Sequence, residues 1–187
     1  AGGHMQTIDR LMEEHREIER VIDALLEWAA ACGDGDANAE ADAGDFATWF
    51  SEFADAHHHG KEEHLLFVAM VEAGMPRNGG PIAVMLREHD IGRDQVAILR
   101  DAAGHAMPWP NALRADVADA ADRFADLLRP HIMKEDQILY RMAEQVLSPE
   151  QKTALDAACA AFEVAFAARH EAMTTLGAAL LERWSPA

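Results

Sequence analysis

Six side chains in this 187-residue sequence have the types and spacing of a metal-binding set: His15, His58, Glu62, His89, His131 and Glu135. They fall into two copies of one arrangement. His58-His59-Gly60-Lys61-Glu62-Glu63-His64-Leu65-Leu66-Phe67 aligns without a gap to His131-Ile132-Met133-Lys134-Glu135-Asp136-Gln137-Ile138-Leu139-Tyr140, giving the shared pattern H-x-x-K-E-[ED]-x-[LI]-L-[FY]. Upstream of each copy stands a Glu-His pair: His15 of Glu14-His15 precedes His58 by 43 positions, and His89 of Glu88-His89 precedes His131 by 42. Residues four apart lie on one helical face about one turn from each other. Each H-x-x-x-E pair can therefore chelate an ion. One such histidine alone is usually a core or surface residue, and a Lys-Glu-Glu run is usually a solvated face. The duplication is what points to a metal.

Imidazoles with carboxylates and no thiolate suit iron, manganese or zinc better than copper(I) or an iron–sulfur cluster. Two histidine groups with shared carboxylates suit a bridged pair of ions. The residues three before His15, His58, His89 and His131 are Met12, Asp55, Leu86 and Leu128, so a ferritin-type pair of Glu-x-x-His motifs is absent. His-Glu-x-x-His is absent too, which excludes the zinc-protease pattern. Glu63 and Asp136 stand five after their histidines, rotated by roughly 140° on an α-helix. Glu62 and Glu135 are thus the preferred ligands, with Asp136 and Glu63 as further candidates.

These residues must be carried by helices. Apolar positions recur at helical spacing over about 8–31, 45–73, 81–103 and 111–146, and from Pro149 onward. Thr7 and Asn111 are expected N-caps. Ser148-Pro149-Glu150-Gln151 predicts a capping box opening the last helix. The Gly-, Asp- and Ala-rich run from Cys32 to Gly44 reads as a loop, and Pro130 predicts a kink near Ala125–Leu128. Nothing resembles a strand. The fold class is all-α, and long antiparallel helices with short connections predict a bundle whose core holds the ions.

At these residues the sequence resembles the hemerythrin-like, HHE cation-binding family, over about Met5 to Val146. The resemblance rests on Glu14-His15, His58-x-x-x-Glu62, Glu88-His89 and His131-x-x-x-Glu135, and on the stretches His-His-Gly-Lys-Glu-Glu and Glu-His-Asp-Ile-Gly-Arg. It implies an up-down four-helix bundle at 5–147 with an additional C-terminal helix at 148–187. It also implies two iron ions joined by a bridging oxo or hydroxo group that meet oxygen, peroxide or nitric oxide. Oxygen carriers of the family have His-x-x-x-His on the third helix, whereas here Arg93 stands four after His89. That departure turns the expectation from reversible oxygen carriage toward turnover of peroxide or nitric oxide. The alternative is a non-catalytic oxygen, nitric oxide or iron sensor or store, and a structural zinc bundle is a third reading.

Arg93 and Glu19 occupy equivalent positions, one turn past His89 and His15. Either both face the site, Arg93 pairing with a carboxylate or steadying a bound peroxide and Glu19 adding a ligand, or both are solvated charges. His170 lies in the apolar seam of the last helix. It supplies a further ligand, hydrogen-bonds one, or is a buried histidine bonded to a backbone carbonyl. His59 replaces His58 if the register shifts by one. Tyr140 falls about 180° from His131 at 3.6 residues per turn and is not expected at the metal. Trp28 and Trp49 read as core, and His105 as exposed.

Sixteen Lys+Arg against thirty-three Asp+Glu give a net charge of −17. A field of that sign repels phosphate backbones and anionic lipid, so nucleic acid and membrane are poor partners. No apolar run approaches the ~20 residues of a membrane span. No secretory signal is seen, and Cys32 and Cys159 have no metal-ligand spacing, so the expectation is a cytoplasmic protein with reduced thiols, monomeric or homodimeric. Ala1-Gly2-Gly3-His4 reads as a remnant of cloning ahead of Met5, and His4 is set aside.

Overall fold

The computed structural model describes residues 5–185, so the expected cloning remnant at 1–4 lies outside them. Every regular element among the described residues is helical. Helix α1 is Gln6–Gly33, α2 is the short Ala37–Glu40, α3 occupies 43–72, α4 is Gly80–Ala103, α5 occupies 111–146 and α6 is Pro149–Trp184. The run expected to be a loop thus contains one helical turn, α2. It is capped by the Asp36 carboxylate on Asn38 N–H, and Trp28 Nε1 donates to Ala39 O at 2.7 Å.

Two expected caps are not used. Met5 and Pro110 hold the N-cap positions of α1 and α5 without a side-chain bond. Thr7 instead donates from N and Oγ1 to Asp156 of α6, at 2.9 and 2.7 Å. The capping box of Ser148 and Gln151 forms, and Pro81 sits in the first turn of α4. Helix α5 passes Pro130 without a break. Its departure from α geometry comes later, at Glu135–Leu139.

Two apolar layers sandwich a polar one. The first contains Trp28, Phe46, Trp49, Phe53 and Phe124; the second contains Met5, Leu11, Phe67, Ile82, Met85 and Leu139. Along α1 the chain passes from the second layer (Leu11) through His15 to the first (Ile18). Along α3 it goes the other way, from Phe53 through His58 and Glu62 to Phe67. Helix α4 repeats the α1 direction (Met85, His89, Val96) and α5 the α3 direction (Phe124, His131, Leu139). This alternation is an up-down bundle, and it threads each half of the repeat through the same central level. Helix α6 packs on both α1 and α3. A Cβ on Gly177 would come 2.7 Å from Trp49 Nε1, and one on Gly60 would come 3.2 Å from Phe162. Those two glycines let α6 lie close on α3.

Candidate metal centre

The central layer contains three stretches of π-helix: Phe50–His59, Glu62–Leu66 and Glu135–Leu139. Their backbone N–H groups reach carbonyls five residues back, Gly60 to Asp55, Phe67 to Glu62 and Tyr140 to Glu135. Each such turn delays the helical phase by about one residue, ~100°. Adjacent residues then serve one interior.

All six candidate ligands are buried to 1% exposure or less. His15, His58, Glu62 and Glu135 each offer an atom within 4.8 Å of the others, and His89 and His131 form a second group with His59. Glu135 spans the two. Its Oε2 lies 3.1 Å from His15 Nε2, and its Oε1 lies 3.2 Å from His131 Nε2 and 3.9 Å from His89 Nε2. Glu62 Oε2 lies 3.4 Å from His89 Nε2 and 3.8 Å from His58 Nε2. The His15 and His58 rings are 4.6 Å apart and tilted by 55°, and the His89 and His131 rings are 4.9 Å apart and tilted by 59°.

The remaining ring nitrogens are tied down by carboxylates in a reciprocal pattern. Within each half, His58 Nδ1 donates to Glu14 and His131 Nδ1 to Glu88, both at 2.8 Å. Between halves, His15 Nδ1 donates to Asp136 and His89 Nδ1 to Glu63, both at 2.7 Å. Lys61 donates to Glu14, and Lys134 to Glu88. The repeated Lys and the second acid of H-x-x-K-E-[ED] therefore orient imidazoles, the outer support that histidine ligands ordinarily have.

With Nδ1 carrying the proton, the Nε2 lone pairs face inward. His89 and His131 Nε2 stand 3.1 Å apart, close to the ~3.0 Å between two nitrogens cis on one ion at ~2.1 Å. His58 Nε2, Glu62 Oε2 and both Glu135 oxygens are buried without a hydrogen-bond partner. Four orphaned acceptors in one enclosure are costly unless a cation serves them. Without a metal, protons fill the role. Burial alone would lower the His131 and His15 pKa values, but Glu135 and neighbouring carboxylates raise them to about 10 and about 9. Burial pushes Glu62 well above the usual carboxylate range, helped by the charge of Glu135. Glu135 is held well below that range, because His131 and His15 outweigh its burial.

A family model for the hemerythrin HHE cation binding domain matches residues 6–143. The chain belongs to that family. Membership implies iron binding, and the histidine–glutamate clusters above are where the chain offers it. This hemerythrin-family chain is also similar to curated iron-sulfur cluster repair proteins named YtfE. That of Musicola paradisiaca is 35% identical over 92 residues, 47% of this chain and 40% of the relative. Those of Dickeya chrysanthemi and Salmonella paratyphi B are 35% and 34% identical over 89 residues, 46% of this chain and 40% of each relative. The chain thus spans 40% of the length of these relatives. No solved structure matches it.

The other sequence candidates are placed as follows. Arg93 bonds Asp55 and Glu63, each at 2.7 Å, and Asp90 at 2.8 Å; through Glu63 it bears on His89. Glu19 pairs with Arg16 at 3.2 Å and belongs to neither ligand cluster. His170 is half-buried with its ring 5.1 Å from His57, and is not brought to the ligands. His59 stacks on His89 at 3.7 Å. His105 is exposed, while Trp28 and Trp49 are fully buried. Cys32 and Cys159 are free and buried.

Sequence reasoning missed Tyr140. Its hydroxyl donates to Glu62 Oε1 at 2.6 Å and lies 3.3 Å from His15 Nε2. The π turn at Glu135–Leu139 supplies the missing rotation, and uniform α-helical spacing gives no hint of it. Glu163 was missed as well. It bonds Lys61, and its Oε2 lies 3.0 Å from His57 Nε2.

Proposed function

We propose that this protein holds two iron ions at the centre of its bundle and uses them to bind and turn over a small oxidant, hydrogen peroxide first, with oxygen and nitric oxide as relatives of it. His15 and His58 would hold one ion and His89 and His131 the other, with Glu62 and Glu135 shared between them. Iron so held supplies reversible one-electron exchange and Lewis acidity, with an oxo or hydroxo group joining the pair. The observation that carries this reading is the set of four buried, unpartnered acceptor atoms enclosed by two tilted imidazole pairs.

The chain's own residues do the rest. Glu14, Glu63, Glu88 and Asp136 fix which nitrogen of each histidine faces inward. Arg93 steadies Glu63. Tyr140 donates to Glu62 beside His15 and can hold a proton near the reacting centre. The apolar layers above and below exclude bulk water. Residues 5–147 form the iron-holding unit in this reading, and Pro149–Trp184 is the helix that braces it; positions 186 and 187 of the expected 148–187 segment lie outside the described residues.

Metal analysis with an absorption spectrum, before and after peroxide is added to the reduced protein, is the test. About two irons per chain and a visible band that cycles over many peroxide equivalents are expected, and Glu135→Ala should lose most of the metal. A colourless protein loaded with zinc would end the reading. The second reading is a non-catalytic sensor or store of iron, oxygen or nitric oxide. It is favoured by the bonded path from His58 through Glu14 and Lys61 to Glu163 on α6, which ties the centre to helix packing. The repair function named for the relatives would also suit an iron store. Bound peroxide without sustained turnover would select this second reading.

A further inference from the structure

Three surface pockets approach the polar layer. One of about 320 Å³, at Asp55, Gly60, Glu63 and Phe162, touches none of the six candidate ligands. The other two differ in what they reach. One, of about 470 Å³, lies against α1 and α6 and reaches Lys61 and Glu163 but none of the six candidate ligands. The other, of about 300 Å³, lies among α3, α4 and α5 and reaches His89 itself. Its walls include Ala54, Val96 and Phe124, and Arg93 also lines it. His59 lies at its inner end beside His89, and keeps 7% exposure where the six ligand candidates keep 1% or less.

The geometry of His59 sets it apart from a ligand. Its ring lies nearly parallel to that of His89, 3.7 Å away at 15°. The two pairs suited to share an ion are instead tilted by 55° and 59° at 4.6–4.9 Å. Two imidazoles on cis positions of one ion converge on it, whereas face-to-face rings place their nitrogens side by side. His59 Nδ1 is also turned to Asp55 Oδ1 at 3.3 Å. The same position of the repeat on α5 is Ile132, while the His15–His58 side of the centre carries the Tyr140 hydroxyl and is braced by α6.

Resting on the two-iron reading above, we propose that the pocket over His89 is the route by which small ligands, neutral diatomics, peroxide or a triatomic anion such as azide, reach the centre. His59 is the polar side chain that they meet last, and the approach is to the His89–His131 side alone. Val96 and Ala54 set the width of the passage. His59 is a positioning residue that narrows the inner end and offers arriving ligands a hydrogen-bonding ring nitrogen.

The experiment is azide association with the oxidised, iron-loaded protein, followed by rapid mixing through the change in visible absorption. Val96→Phe narrows the pocket and should slow association by about tenfold or more, since passage would then need a rearrangement of the wall. Iron content should be unchanged. Ala54→Leu is a second, independent narrowing. His59→Ala should accelerate association. Ala160→Phe, in the pocket against α1 and α6, should have no effect. Wild-type rates in both narrowed variants, or slowing in Ala160→Phe instead, would overturn the route.

A readout on the metal-free chain separates this inference from the reading beneath it. Diethyl pyrocarbonate should modify His59 in the wild type and much more slowly in Val96→Phe, as mapped by peptide mass spectrometry. If the protein holds no iron but this pattern stands, the two-iron reading fails while the pocket's access to His59 survives. If iron is present and His59 modifies equally in both, the route fails alone.

Discussion

In the first half of the centre, Glu14 accepts from His58 and is held by Lys61; in the second, Glu88 accepts from His131 and is held by Lys134. The bonds match one for one, yet their settings do not. Lys61 is 1% exposed and is shared with Glu163 of α6, whereas Lys134 is 35% exposed. The residue before each lysine tells the same story: Gly60 admits Phe162 of α6, and Met133 at the equivalent place is 51% exposed. Tyr140 stands where the other half has Phe67, and His59 where it has Ile132. Duplication thus preserved the metal-facing atoms and the carboxylates behind them, while the next layer out diverged. The two ions proposed for the site would sit in unlike surroundings.

Titrating the metal-free protein should give the largest effect. His15 in the first half and His131 in the second are raised from 6.5 to about 9 and about 10. A raised imidazole stabilises the fold fully below the unfolded value, and that contribution is lost as pH rises through the folded value. Each contributes of order 1 kcal/mol per pH unit across its window. His58, lowered to about 4 by burial, acts in the opposite sense and weakens the fold as pH falls from 6.5 toward 4. Glu62, raised by burial, adds to the loss on the alkaline side, so urea denaturation of the metal-free chain should show stability falling from pH 6.5 to 10. His15→Asn should remove part of the loss between pH 6.5 and about 9, and His131→Asn part of it over the whole span from 6.5 to about 10. A flat profile from pH 6.5 to 10 would contradict the arrangement.

A smaller effect separates the lysines. Lys61→Met leaves Glu14 buried against an unneutralised Glu163 and should cost about 3–5 kcal/mol in the metal-free protein. Lys134→Met, at a more exposed pair, should cost about 1 kcal/mol or less. Equal losses in chemical denaturation would mean that α6 does not distinguish the halves. The change from cutting the crossed supports falls between those two lysine effects. Asp136→Asn and Glu63→Gln should each weaken metal binding by ~10–100-fold, or about 1.4–2.7 kcal/mol. Competition with a coloured chelator would measure both. The two losses should be comparable, because Arg93 still fixes residue 63 and Arg16 still fixes residue 136.

Most of the helical frame was legible in the sequence. Expected spans of 45–73, 81–103 and 111–146 compare with observed spans of 43–72, 80–103 and 111–146. Those limits follow from breakers such as Gly74 to Pro81 and Gly104 to Pro110, which act locally. The six chelating positions were legible because a spacing of four, repeated in two places, is a local signal as well. What escaped is what depends on helical pitch. Tyr140 and the crossed roles of Glu63 and Asp136 follow from π turns, for which uniform 3.6-residue spacing has no rule. Arg93 reads as a solvated or a paired charge equally well until Asp55, 38 positions away, is brought beside it. Glu163 is invisible for the same reason, since its partners lie on α3.

The π turns have one more consequence. Each is in effect an extra residue swallowed by a helix without forming a loop, and everything downstream is turned to suit. Adding one amino acid between 135 and 139 would leave every chelating side chain in the sequence. Unless the helix took that residue up as well, it would swing Tyr140 and the apolar positions after it by about 100° away from their partners. At this centre, chain length between functional positions is as much a part of the chemistry as the functional positions themselves.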